Sequence, residues 1–166
     1  MSRLLLLRHS RAGWAAPGMR DFDRPLEPAG RADAEAIGAA IAVSYGPDLI
    51  LCSSARRARE TFESIQPRLG EARVIYSDEL YGTDSAGYVD FIRKKATGDQ
   101  VLLVGHNPMM EDVAMVLSGD GHGRARDLLY SGFPTSALAV IRFGTPLSEA
   151  APGTGYLEAF ISPAEL

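Results

Sequence analysis

Five short, almost wholly apolar runs punctuate this chain and restrict it to one kind of sheet. They are Leu4-Leu5-Leu6-Leu7, Leu49-Ile50-Leu51-Cys52, Val74-Ile75-Tyr76, Val101-Leu102-Leu103-Val104 and Leu138-Ala139-Val140-Ile141. A strand with one wet face alternates apolar and polar residues, so a run without alternation is covered on both faces. Between the runs the apolar period changes to that of a helix. Ala34, Ile37, Ile41 and Tyr45 step by 3, 4 and 4, and Ala55, Ala58, Phe62, Ile65 and Leu69 step by 3, 4, 3 and 4. Met110, Val113 and Leu117 form a third stripe after Pro108, and 86–95 forms a weaker one. Strands alternating with helices predict an α/β domain with a mostly parallel central sheet between two helical layers.

Pro67 is expected to end the second helix, and Ser53 or Ser54 to cap its start. The stretch 118–126 (SGDGHGRAR) is Gly-rich and polar and reads as a mobile loop. There is no repeat or linker that would divide the 166 residues, so a single domain spanning 1–166 is expected. The single cysteine, Cys52, excludes a disulfide scaffold and a cysteine-built zinc site. No apolar run approaches a membrane span or a signal-peptide core, so the expected location is cytoplasmic, without a membrane partner. A net charge of −4 argues against a nucleic-acid partner.

Within that sum the basic residues are unevenly placed. Fifteen of the 17 are Arg, and residues 1–60 carry nine Arg against seven acids while the remainder is acidic. Solvated surface accounts for most such residues. An anion site in the N-terminal half is the functional alternative, because guanidinium matches phosphate oxygens in a forked geometry.

The histidines sharpen that alternative. His9 follows the first apolar run after Arg8, and His106 follows the fourth after Gly105. The second run leads into Ser53-Ser54-Ala55-Arg56-Arg57. In a parallel sheet these residues all lie just past the carboxyl ends of strands, the edge at which open α/β sheets bind ligands. A lone His or Arg at a strand end is most often a loop residue; three strands converging on one edge is a stronger signal.

Other chemistries lack their residues. There is no H-x-x-x-H, P-loop, G-x-S-x-G or G-x-G-x-x-G after a strand. A cysteine phosphatase loop fails on register, since six positions beyond Cys52 is Ala58 and Arg57 comes one position early. A neutral His9 in an arginine-lined pocket, with His106 donating to the transferring group, is coherent as phosphoryl-transfer chemistry.

At these residues the chain resembles the histidine phosphatase superfamily, which includes the cofactor-dependent phosphoglycerate mutases. The resemblance rests on Leu7-Arg8-His9-Ser10, on Ser53 through Thr61 (SSARRARET) and on Gly105-His106-Asn107-Pro108. It is closer to the short SixA-type phosphohistidine phosphatases, through Asp21-Phe22-Asp23-Arg24-Pro25-Leu26, Leu80-Tyr81 and Phe133-Pro134-Thr135. Two positions depart from the pattern. Ser10 stands where Gly is usual, and Glu27 replaces a Thr that would cap the first helix.

The resemblance implies a phosphoglycerate mutase-like fold and a metal-independent phosphatase without a cofactor. It implies His9 as nucleophile and Arg8, Arg57 and His106 as holders of the phosphoryl group. Asp78 and Glu79 are the candidate proton donors, with two solvated turn carboxylates as the equal alternative. Ser10, Asn107 and Arg24 are candidate phosphate or substrate contacts. The implied partner is a phosphorylated protein, with a small phosphorylated metabolite as the alternative and a silent phosphoprotein-binding module as a third. At this length little chain remains for a roof, so an open pocket is expected, with 118–126 the one lid candidate.

Overall fold

The computed structural model describes residues 1–166 and contains one seven-stranded sheet. The four N-terminal apolar runs become β1 (Ser2–Arg8), β2 (Leu49–Ser53), β3 (Arg73–Ser77) and β4 (Gln100–Gly105). The fifth run is an antiparallel neighbour of β1 rather than another parallel strand. With β5 (Ser118–Gly121), β6 (Leu138–Phe143) and β7 (Gly155–Ile161), the spatial order is β3-β2-β4-β1-β6-β7-β5. Strands β3, β2, β4 and β1 run parallel, while β6 is antiparallel to both β1 and β7.

Four of the five unalternating runs are explained by two cores on opposite faces; the third lies on edge strand β3, where Val74 and Ile75 are half-buried and Tyr76 is 46% exposed. Leu4, Leu6, Leu49, Leu51, Val101 and Leu103 enter one core, where they meet α4 (Ser85–Lys95) and α5 (Met109–Leu117). Leu5, Leu7, Ile50, Cys52, Leu102 and Val104 enter the other, against α1 (Pro28–Ser44) and α2 (Arg56–Ile65). Successive strand residues point to opposite faces, so each face takes every second residue of the same run. Pro67 lies in a short 3-10 turn directly after α2, as its chemistry requires. No helix is long and apolar enough to cross a membrane.

Two expectations are corrected. Residues 118–126 are not a mobile loop: 118–121 form edge strand β5, and the helix Gly123–Tyr130 begins with exposed His122 as its N-cap. A polar, Gly-rich edge strand has no apolar run to reveal it, and it is held by pairing with β7. It lies at the edge of the sheet, three strands from β1, and is not a lid. The covering segment is instead 10–27, which links β1 to α1. Its two limbs are joined by a bridge between Ala12 and Leu26 and by the amide of Glu27 donating to the Arg11 carbonyl (3.0 Å).

Gly30 makes that crossing possible. A Cβ at this position would lie 2.3 Å from the carbonyl oxygen of Arg11. We expect Gly30→Ala to force α1 away from the segment and cost about 1–3 kcal/mol in urea unfolding at pH 7, as overpacking does. A midpoint equal to wild type would contradict this packing.

Candidate active site

Strand register brings the site together. Arg8 pairs with Gly105 in the β1–β4 ladder, so the next residues, His9 and His106, are neighbours. Their ring centroids are 5.1 Å apart. Cys52 pairs with Val104, which carries Ser53 to the same edge, and Ser53 Oγ lies 2.7 Å from His106 Nε2. Helix α2 then delivers Arg57 from its first turn.

The imidazole of His9 has a defined tautomer. Its Nδ1 is 2.7 Å from the carbonyl oxygen of Ser10. A carbonyl only accepts, so the proton of the neutral ring is on Nδ1 and the lone pair is on Nε2. Ser10 is fixed in turn. Its amide donates to Thr61 Oγ1 (2.9 Å), and Thr61 donates to the Arg57 carbonyl (2.7 Å). Its hydroxyl bonds to that of Ser136 at 2.6 Å. Ser136 is fully buried and adopts φ of 65°, a conformation that favours Gly, and its amide donates to the carbonyls of Arg8 and His9. A strained residue therefore clasps the backbone at His9.

His106 is held from both sides. Tyr88 accepts its amide (3.2 Å) and donates to the Leu80 carbonyl. Gly105 leaves room for that ring, since a Cβ there would lie 2.8 Å from the Tyr88 oxygen. Ser53 Oγ already accepts the amide of Ala55, so its proton is available to His106 Nε2. When Ser53 donates in this way, the His106 proton is on Nδ1.

His106 Nδ1 and Arg8 Nε are buried without a hydrogen-bond partner. An unpaired buried donor costs about 1–3 kcal/mol, and an anion oxygen seated among these groups would remove the cost. The field here is positive. Burial, then Arg57, Arg8 and Arg24, lower the His9 pKa to about 4. Burial, then His9 and Arg57, lower that of His106 to about 3. Both rings are neutral at pH 7.

Arg57 is not free in this state. Its Nη1 donates to the Asp21 carbonyl (2.9 Å) and its Nη2 to Asp21 Oδ2 (3.1 Å). The Asp21 carboxylate also accepts from Arg24 Nη1 (2.8 Å) and from the Tyr81 hydroxyl (2.8 Å). Arg24, Tyr81 and Arg57 together pull its pKa down to about 2. The Tyr81 ring meets Phe22 edge-on and packs against His106 (centroids 5.0 and 5.6 Å). His9 is 8% exposed and His106 5%, so both rings are buried rather than open to solvent as the chain length suggests.

The structure brings Arg8, His9, Arg57 and His106 into one cluster, with Ser10, Asn107 and Arg24 around it. The donors of Ser10 and Asn107 are engaged internally. Asn107 Nδ2 donates to the Phe133 carbonyl, as Arg8 Nη1 does, and Asn107 Oδ1 accepts the amide of Glu111. Asp78 and Glu79 lie apart: both are exposed at the start of the short helix Glu79–Gly82. Ser54 caps nothing, and the N-cap of α2 is Ala55. Cys52 is buried, and burial raises its thiol pKa, which suits a packing residue. No group of three or more His, Cys, Asp or Glu side chains could hold a metal ion.

Sequence reasoning missed Asp21, Tyr81, Ser53 and Ser136 as parts of the site. Asp21 and Tyr81 stood inside recognised motifs, but no spacing rule ties position 21 to Arg57. Ser136 carries no sequence signal of its own.

Comparison with known proteins agrees with this geometry. The sequence model of the histidine phosphatase superfamily (branch 1) matches residues 4–85. A crystal structure of a candidate phosphohistidine phosphatase SixA from Agrobacterium tumefaciens is 40% identical, with a TM-score of 0.80 and 98% of each chain covered. The chain belongs to the histidine phosphatase superfamily. Its fold is phosphoglycerate mutase-like, and the family match together with the SixA-type neighbour supports a phosphatase. A Mycobacterium tuberculosis protein is 31% identical over 95% of this chain and 99% of its own length. A chloroplastic Arabidopsis thaliana protein is 38% identical over 70% of this chain, which spans 59% of that protein's length.

The depressed His9 pKa has a consequence for folding. The unfolded ring takes up a proton near pH 6.5, whereas the folded ring does so only near pH 4. Between these values the unfolded state binds more protons, so stability falls as pH drops through the window. In urea unfolding, wild type should lose about 2–3 kcal/mol more than His9→Gln between pH 7 and pH 4.5. Equal losses would contradict a buried neutral His9.

Proposed function

We propose that this protein is a phosphohistidine phosphatase acting on phosphorylated proteins, with His9 as nucleophile. The observation that carries the substrate class is the state of Asp21, the carboxylate that touches the cluster. Bound by Arg24, Tyr81 and Arg57, it is ionised at neutral pH and holds no proton for a leaving group. An alkoxide leaving from a phosphomonoester needs that proton. An imidazole, with a reference pKa near ~6.5, does not need it to the same degree.

A substrate phosphoimidazole can instead be protonated on the ring nitrogen remote from phosphorus. An ionised Asp21, with its side chain 50% exposed, is suited to face that imidazolium. In the proposed reaction His9 Nε2 attacks phosphorus as the substrate's P–N bond breaks. The substrate ring leaves as neutral imidazole, its remote N–H retained and the bonding pair kept by the departing nitrogen. His9 now carries phosphoryl on Nε2 and a proton on Nδ1, and the Ser10 carbonyl supports the cationic ring. Arg8, Arg57 and His106 stabilise the phosphoryl oxygens, for which Arg57 is released from Asp21. Water then displaces His9 from phosphorus, yielding inorganic phosphate and neutral His9 after the water proton is lost. Ser10, Asn107 and Arg24 act as positioning residues in this scheme. The SixA assignment of the Agrobacterium relative supports the same substrate class.

The test compares a phosphohistidine-bearing protein with sugar phosphates as substrates. Wild type should favour phosphohistidine. Asp21→Asn should lower kcat/KM on phosphohistidine by about tenfold or more while changing the ester rate less, and His9→Ala should be inactive on both. Faster turnover of the esters would favour the small-metabolite reading, and activity surviving in His9→Ala would remove the mechanism.

A further inference from the structure

The cover over the site has a second surface that the chemistry does not use. Residues 14–18, Trp14-Ala15-Ala16-Pro17-Gly18, are all exposed and contain no charged or hydrogen-bonding side chain except the indole N–H. Trp14 is the only tryptophan in the chain and is 94% exposed. Scattered exposed apolar residues are ordinary, but a run of five on one loop tip is a feature that folding alone disfavours.

The tip is not a loose tail. The amide of Gly13, next to Trp14, donates to the Pro25 carbonyl (3.0 Å), and its own carbonyl accepts from Arg24 Nε (2.9 Å). The same Arg24 holds Asp21, which holds Arg57. Beyond the tip, Met19 donates to Ala16 to close a turn, with Gly18 at φ of 80°. Exposed Arg20 then packs over Phe22, whose ring meets Tyr81 against His106. Arg20, Phe22 and Tyr81 thus form a line of contacts that ends at His106, and Trp14 stands on the same segment, next to the Gly13 carbonyl that Arg24 holds. Trp, Tyr and Arg are the residue types that dominate binding at protein interfaces.

We propose that the 14–18 tip, led by Trp14, is a docking surface for the protein that carries the phosphorylated histidine. The inference rests on the phosphohistidine reading above and adds the means of telling protein from free metabolite. Trp14 and the four exposed residues that follow it offer more apolar contact than a small phosphorylated molecule seated on His9 can cover. Apolar surface left in water by the fold is recovered when a protein surface closes on it.

Kinetics on two substrates with the same scissile bond test this directly. The probes are free phosphohistidine and a tryptophan-free protein phosphorylated on histidine, with wild type, Trp14→Ser and Trp14→Phe as enzymes. Trp14→Ser should lower kcat/KM on the phosphoprotein by about tenfold, chiefly through KM, and leave free phosphohistidine within about twofold. Trp14→Phe should restore much of the loss. The emission of Trp14 in inactive His9→Ala should shift to the blue on adding the phosphoprotein and not on adding free phosphohistidine. An equal effect of Trp14→Ser on both substrates, or none on the phosphoprotein, overturns the docking surface while leaving the phosphatase reading intact. Failure of wild type to cleave phosphohistidine in either form overturns both.

Discussion

Two imidazoles buried beside three guanidinium groups are the constraint on which the rest of this molecule is arranged. Burial disfavours a charged ring, and the nearby arginines disfavour it further, so His9 and His106 are neutral where free histidine would be half charged. Neutrality alone does not orient a ring. The Ser10 carbonyl fixes the His9 proton on Nδ1, and Ser10 is itself fixed by Thr61 and Ser136. Under the proposed function this costly arrangement has a purpose, since a phosphoryl group would meet both the arginines and the unpartnered Arg8 Nε.

The same positive field has a partner in Asp21. Its carboxylate joins Arg24, Arg57 and Tyr81, so one short loop segment is tied to α2 and to the His106 ring together. Glu60 performs a parallel task a few residues away, accepting from the Leu26 amide and pairing with Arg31 and Arg56. Both carboxylates anchor the segment between β1 and α1. That segment therefore connects the charge balance of the pocket to the exposed tip at 14–18.

Much of this was legible in the sequence, for identifiable reasons. Four of the five unalternating runs marked buried strands because each face of the sheet draws on every second residue, while the third marked edge strand β3, which one neighbour leaves partly exposed. His9, Arg57 and His106 could be grouped because strand ends in a parallel sheet share an edge. The antiparallel turn of β6 could not be read, since Leu138 to Ile141 are apolar on both faces in either direction. Strand β7 was overlooked because Tyr156 and Glu158 interrupt its apolar residues, and β5 because Gly and Asp fill it. Asp21 escaped because its role depends on a loop crossing back over the sheet edge, a tertiary fact with no local period. Ser136 escaped because a hydroxyl accepting a left-handed backbone leaves no pattern along the chain.

The central claim is that His9 Nε2 becomes covalently phosphorylated during turnover. It is tested most directly by mixing enzyme rapidly with phosphohistidine protein and quenching in denaturing alkali, where phosphohistidine survives. Peptide mapping and phosphorus NMR should then locate phosphate on the Nε2 nitrogen of His9, at a level that rises and decays within the first turnover. Phosphate on another residue, or turnover at full rate with His9 unmodified at every quench time, would contradict the account.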